Sequence, residues 1–360
     1  MTPFSLVLGL LLTSSLTVES VRLTLQRNYR PLNLLKHYHH NPIDYGIIAT
    51  DAYIGTPPQY AWLIVDTEHD DLTITLCPSQ DYQPADDMCF IYQNSSSFKR
   101  LSEHTASDLV QPLYSNLPIS KFTFATRKAP TRYTGTLGLS PSKSMKYPGE
   151  TIPRYPWLGD DKPYPSFSLY YGRTSCAMNI DFGQMAICAQ SDDNKLLLNL
   201  TSDKYWQFEV DEVEIGGVRT DVASQAAIST IKDYIGMPKK FLQGFTAKYS
   251  IPWDGLYGAY TVDCNATSTL PDLNFRVKDL TNRVGTLTIK AQFYVYTKEP
   301  LPNGKCVLDM EDSGAFGFGP EWYFGLQIIK SYCVDFMYPH WGLNGWMGFT
   351  KYSELSMCAS

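Results

Sequence analysis

Hydrophobic positions in this chain fall into short runs of strand length, punctuated by glycine, proline and asparagine, and only a few stretches carry a helical spacing. The clearest run, residues 61–65, follows the turn Gly55-Thr56-Pro57-Pro58 and ends on Asp66-Thr67-Glu68-His69. No glycine occurs between Gly55 and Gly135, and residues 98–124 predict a shortened strand pair. Gly135-Thr136-Leu137-Gly138-Leu139-Ser140-Pro141 predicts a strand ended by glycine, and Ala315-Phe316-Gly317-Phe318-Gly319-Pro320 repeats that pattern. Further strands are expected at 167–170, 179–183, 287–296 and 306–308, with an alternating strand that opens over residues 200–208 and runs into Val213-Glu214-Ile215-Gly216-Gly217. Pro238 precedes a helical pattern over 241–248, and Pro320 suits the first turn of a short helix through Ile329. The chain closes on a hairpin of residues 332–336 and 344–349 with an Asn344-Gly345 turn.

Composition adds bounds to this picture. At 360 residues, 44% hydrophobic and 18% charged, the chain holds two domain-sized units with real cores. The polar run Ser191-Asp192-Asp193-Asn194-Lys195 marks the boundary between them. A net charge of -6 gives no reason to expect nucleic acid or an anionic membrane as partner. Residues 4–16 form an apolar run followed by Val18-Glu19-Ser20, the layout of a secretory signal over residues 1–20, and no later stretch has the length of a membrane span. Eight cysteines suit an oxidising compartment, and near-neighbour pairing gives Cys77–Cys89, Cys176–Cys188, Cys264–Cys306 and Cys333–Cys358. Acceptor sequons at Asn94, Asn199 and Asn265 fit export. Residues 21–44 read as a short N-terminal segment, with His37, His39 and His40 in a solvated stretch. No metal or other cofactor is expected, since no cysteine pair has the tight spacing of a zinc site.

The strand ending on Asp66-Thr67, the glycine-ended strand at 135–138, the block from Trp206 to Gly217 and the strand Gln225-Ala226-Ala227-Ile228-Ser229-Thr230-Ile231 follow one another in a single order. That order resembles the pepsin-like aspartic protease family from Ile54 to Phe349. The resemblance implies an all-β, bilobal fold, with two pseudo-symmetric barrel-like lobes at 45–190 and 191–360 around a central cleft. It also implies that Asp66 stands at the first catalytic position, and that Thr67 and Thr230 brace two loops across the cleft. Ser229 stands where the second aspartate is expected, and Glu68 and Ile231 stand where glycines are. Tyr114 is the candidate for the tyrosine of the flap that covers the substrate, on a segment otherwise read as having no working lid.

Hydrolysis by the family's route needs two carboxylates sharing one proton, one drawing a proton from water while the other protonates the scissile carbonyl. Asp66 opposite Ser229 has no such partner. The expectation is therefore a non-catalytic pseudoprotease, a secreted glycoprotein, extracellular or in an acidic endolysosomal compartment. It is expected to be monomeric and to bind a peptide or protein in its cleft or on its surface. Two alternatives stay open: an active endopeptidase with an unusual Asp66–Glu68 dyad, or a surface glycoprotein with no cleft ligand. Apart from that dyad, Glu68, Asp70 and Asp71 read as a solvated loop. A nucleophilic Ser229 paired with His69 lacks both an oxyanion hole and a Gly-x-Ser-x-Gly turn.

Overall fold

A computed structural model describes residues 21–27, 48–79, 88–112, 119–128, 133–141, 166–171, 178–182, 188, 195–220, 222–315, 319–339 and 344–352. Strands dominate, as the short apolar runs require, and they assemble into a bilobal all-β fold. The largest sheet has 13 strands, and the second half of the chain adds sheets of five, four and four strands.

Six strands of the large sheet join the two halves. They are ordered Lys195–Asn199, Trp346–Lys351, Tyr332–Met337, Ser166–Tyr171, Met178–Phe182 and Val21–Arg27, all antiparallel. Val21–Arg27 also pairs with Ile48–Ile54, so part of the segment expected to be solvated is a strand inside a sheet. The three histidines of that segment lie outside the described residues. One apolar core runs through both lobes, and large aromatics fill their junction. Phe167 stacks on Phe336 at 4.4 Å, and Trp206 meets both edge-on. The polar ends of this cluster are satisfied by one acceptor, the Leu139 carbonyl, which receives Trp206 Nε1 at 2.7 Å and the Tyr338 hydroxyl at 2.9 Å.

A buried charge pair sits within the same six strands. Asp335 accepts a hydrogen bond from Ser168 Oγ and faces Lys195 Nζ at 2.7 Å. The side chains are 3% and 9% exposed, so each charge depends on the other for what water would supply.

Several expectations are corrected by the tertiary pairing. Cys188 bonds Cys333, with Cα atoms 5.5 Å apart, in place of the pairs Cys176–Cys188 and Cys333–Cys358. Near-neighbour pairing assumes loops that close on themselves. Here the strand carrying Cys333 lies beside Ser166–Tyr171, which pairs with Met178–Phe182 just ahead of Cys188. Cys176 and Cys358 lie outside the described residues. Cys77 bonds Cys89 and Cys264 bonds Cys306. The run 287–296 is interrupted: the strand Val284–Ile289 gives way to a helical turn, Ala291–Tyr294, whose Ala291, Phe293 and Tyr294 are buried. Pro320 lies ahead of the strand Trp322–Phe324, and the helix begins later, at Leu326–Ser331. The closing hairpin pairs Met337 with Trp346, so its connection is longer than a two-residue Asn-Gly turn. The helix after Pro238 spans Lys239–Lys248. No helix among the described residues is long and apolar enough to cross a membrane.

Asp335→Asn should destabilise the protein by about 3–5 kcal/mol, because Lys195 would be left buried without a counter-charge. Urea unfolding measures this, and a loss below about 1 kcal/mol would mean that the pair does not help hold the joining strands together.

Candidate functional site

The site is built where two strand ends meet. Gln59–Asp66 runs parallel to Gly135–Gly138, with Asp66 level with Gly138. In the second half Ser224–Ile228 runs parallel to Trp322–Phe324, with Ile228 level with Phe324, so the next pair is Ser229 and Gly325. The glycine-ended strand of the second half is therefore Trp322-Tyr323-Phe324-Gly325, and not the segment 315–320 expected from its spelling. Both glycines are required by close approach. A Cβ on Gly138 would lie 2.6 Å from the backbone N and O of Asp71, and one on Gly325 would lie 2.4 Å from the Lys232 carbonyl oxygen. Each loop thus wraps the glycine of its own lobe. Asp66 and Ser229 occupy equivalent places by backbone geometry, independently of any match in their side chains.

The two loops are locked to each other by their threonines. Thr67 N donates to Thr230 Oγ1 and Thr230 N donates to Thr67 Oγ1, both at 3.1 Å. Thr230 Oγ1 also donates to the Val65 carbonyl at 2.7 Å, and Thr67 Oγ1 to that of Ile228 at 3.1 Å. Both residues are fully buried, and the hydroxyl and backbone N–H of each find their partners on the opposite lobe.

Around this lock the charged side chains separate into two groups. Asp66, 4% exposed, accepts the backbone N–H groups of Glu68 at 2.7 Å and His69 at 3.2 Å, and its Oδ2 lies 2.7 Å from His69 Nδ1. His69 therefore turns to the acid of its own loop rather than to Ser229. Glu68 reaches to the opposite lobe: Ser229 Oγ donates to Glu68 Oε1 at 2.5 Å, and Lys232 Nζ contacts the same oxygen. Lys232 Nζ also sits 4.4 Å from the centre of the Tyr323 ring. Glu68 is thus a held residue, with a side chain 17% exposed, and not part of a solvated acidic loop. Ile231 is half-buried. Burial, followed by the charges of Glu311, Glu68 and Asp233 and by Tyr323, pushes the Tyr234 phenol up to about 12. Burial likewise raises the Glu311 carboxyl above its ordinary range.

Sequence reasoning missed Lys232. A signal was present, because it stands three positions after Ser229 as His69 stands three after Asp66, which puts one cation-forming side chain on each loop. The strand pair expected to be shortened consists of two eight-residue strands, Thr105–Pro112 and Ser120–Arg127, in register from Thr105 opposite Ala125 to Val110 opposite Ser120. Tyr114 lies outside the described residues.

A family model described as eukaryotic aspartyl protease matches residues 117–339, more than half of the chain. The chain belongs to the eukaryotic aspartyl protease family. It is 30% identical to aspartic protease 1 of Caenorhabditis elegans over 134 residues, 37% of this chain and 32% of that protein. It is 27% identical to chymosin of Callithrix jacchus over 256 residues, 62% and 64% of the two chains, and 23% identical to gastricsin of Mus musculus over 316 residues, 79% and 76%. Against aspartic proteases 1 and 17 of the nematode, the chain therefore spans only 32% and 33% of the relative's length.

Thr230→Val should cost about 2–4 kcal/mol in urea unfolding, since it leaves the buried Thr67 N–H and one bond of the Val65 carbonyl unmade. Glu311→Gln tests the burial at the neighbouring position. A raised carboxyl means that the folded state binds more protons than the unfolded one between the ordinary and the raised pKa, so wild-type stability falls as pH rises through that window. The glutamine variant escapes that fall, and its stability advantage should grow from acid to neutral pH. An advantage that does not change with pH would count against the assignment.

Proposed function

We propose that this chain is a secreted, non-catalytic pseudoprotease of the family, whose cleft binds a peptide or protein. The observation that carries the reading is the contact of Glu68 with Ser229 and Lys232. The residue opposite Asp66 is a hydroxyl, and the carboxylate that reaches it among the described residues is drawn from the same loop as Asp66 and tied to a lysine. Two acids sharing a proton need to flank one water, each free to give or take that proton. Here Asp66 is occupied by two backbone N–H groups and the His69 ring, and Glu68 by an ammonium and a hydroxyl. The scaffold that would orient a polypeptide is kept, because the threonine lock and both close-packed glycines are in place.

Export is supported by the signal-like residues 1–20 and by the disulfides, which suit an oxidising compartment. The side chains of Asn94, Asn199 and Asn265 are exposed, as glycosylation requires. Lobes at 45–190 and 191–360, with the cleft between them, complete the proposal.

The test is digestion of an unfolded protein from acid to neutral pH, with a transition-state-mimic inhibitor as control. No inhibitor-sensitive turnover is expected. Turnover that disappears in Asp66→Ala would establish an active peptidase instead. In parallel, a displayed peptide library should yield binders to the wild-type protein, and a library with no enriched sequence would favour a glycoprotein without a cleft ligand.

A further inference from the structure

We propose that the reshaped centre is a receptor for an alkylammonium group, filled by Lys232 in the free chain and by a lysine side chain of the polypeptide that the cleft binds. The inference rests on the cleft-binding reading above and names what that cleft selects. Three features assemble the seat: the Glu68 carboxylate, the Ser229 hydroxyl that fixes it at 2.5 Å, and the face of Tyr323 at 4.4 Å from Lys232 Nζ. A carboxylate and an aromatic face around one point are the recognition chemistry of an ammonium ion, and Lys232 supplies one in cis.

The occupant is replaceable. Its side chain is 21% exposed, its stem is unbranched and rich in rotamers, and an incoming ammonium remakes the ion pair that Lys232 gives up. Tyr234, two residues after Lys232, is near enough to feel the charge of Glu68, and it lines a pocket of mixed acidic, aromatic and apolar residues, among them Asp233, Trp253, Met310 and Glu311.

The decisive variant is Lys232→Met, which keeps the stem and empties the seat, with Lys232→Gln as a second version should the first not fold. Thermal unfolding of the full chain is followed with n-butylammonium chloride against sodium chloride at equal ionic strength. A saturable rise in Tm of about 2 °C or more near ten times Kd is expected in the emptied variant, with none in wild type at the same concentration. The rise should vanish in Glu68→Gln/Lys232→Met. No saturable rise in either folded single variant, or an equal rise in the double variant, overturns the proposal. Peptide enrichment by wild type without a butylammonium effect removes the lysine seat and leaves cleft binding standing. Butylammonium binding with no enriched peptide removes the cleft reading and overturns the polypeptide lysine as occupant, leaving only an ammonium seat.

Discussion

Thr67 and Thr230 each accept the other's backbone N–H on their hydroxyl oxygen, from opposite lobes and out of reach of water. Four hydrogen bonds at one buried point require the two loops to approach to backbone contact, and Gly138 and Gly325, with no Cβ, let each loop close tightly onto its own lobe. The parallel strand pairs on either side, the position of Asp66 and the position of Ser229 are all set by this constraint. A change in what the loops carry can be tolerated. A change in how close they come cannot.

That distinction explains how the centre has been altered without collapse. The side chains at the two positions where the family has glycine, Glu68 and Ile231, lie beside the lock and not inside it. Glu68 finds a hydroxyl and an ammonium on the other lobe, so a half-buried carboxylate is compensated. The contact places charge between the lobes, beside the threonine lock. Elsewhere the lobes are joined by means that do not depend on this centre: six shared strands, the stacked Phe167 and Phe336 with Trp206, and the buried pair Lys195–Asp335.

Much of this was legible in the sequence because its signals are local. The run ending on Asp66-Thr67 and the entry block around Trp206 fix the order of the landmarks, and that order suffices for the fold and for aligning Ser229 with Asp66. Where the sequence misled, long-range pairing decided. Gly319 and Gly325 both end short apolar runs, and only the parallel partner of Ile228 distinguishes them. Cys188 and Cys333 are 145 residues apart, a separation that near-neighbour logic never considers. Ala291–Tyr294 is apolar enough for a strand, yet is wound into a turn that buries three of its four side chains. Lys232 could not be placed without knowing that Glu68 crosses to meet it.

The crossing of Glu68 carries a consequence for position 229. An acid in place of Ser229 would set a second negative charge against Glu68, whose Oε1 already holds both the hydroxyl at that position and the Lys232 ammonium. A single acid there would thus meet a repelling neighbour reaching over from the opposite lobe. The contact makes two distant positions interdependent: what can stand at 229 is decided by what stands at 68.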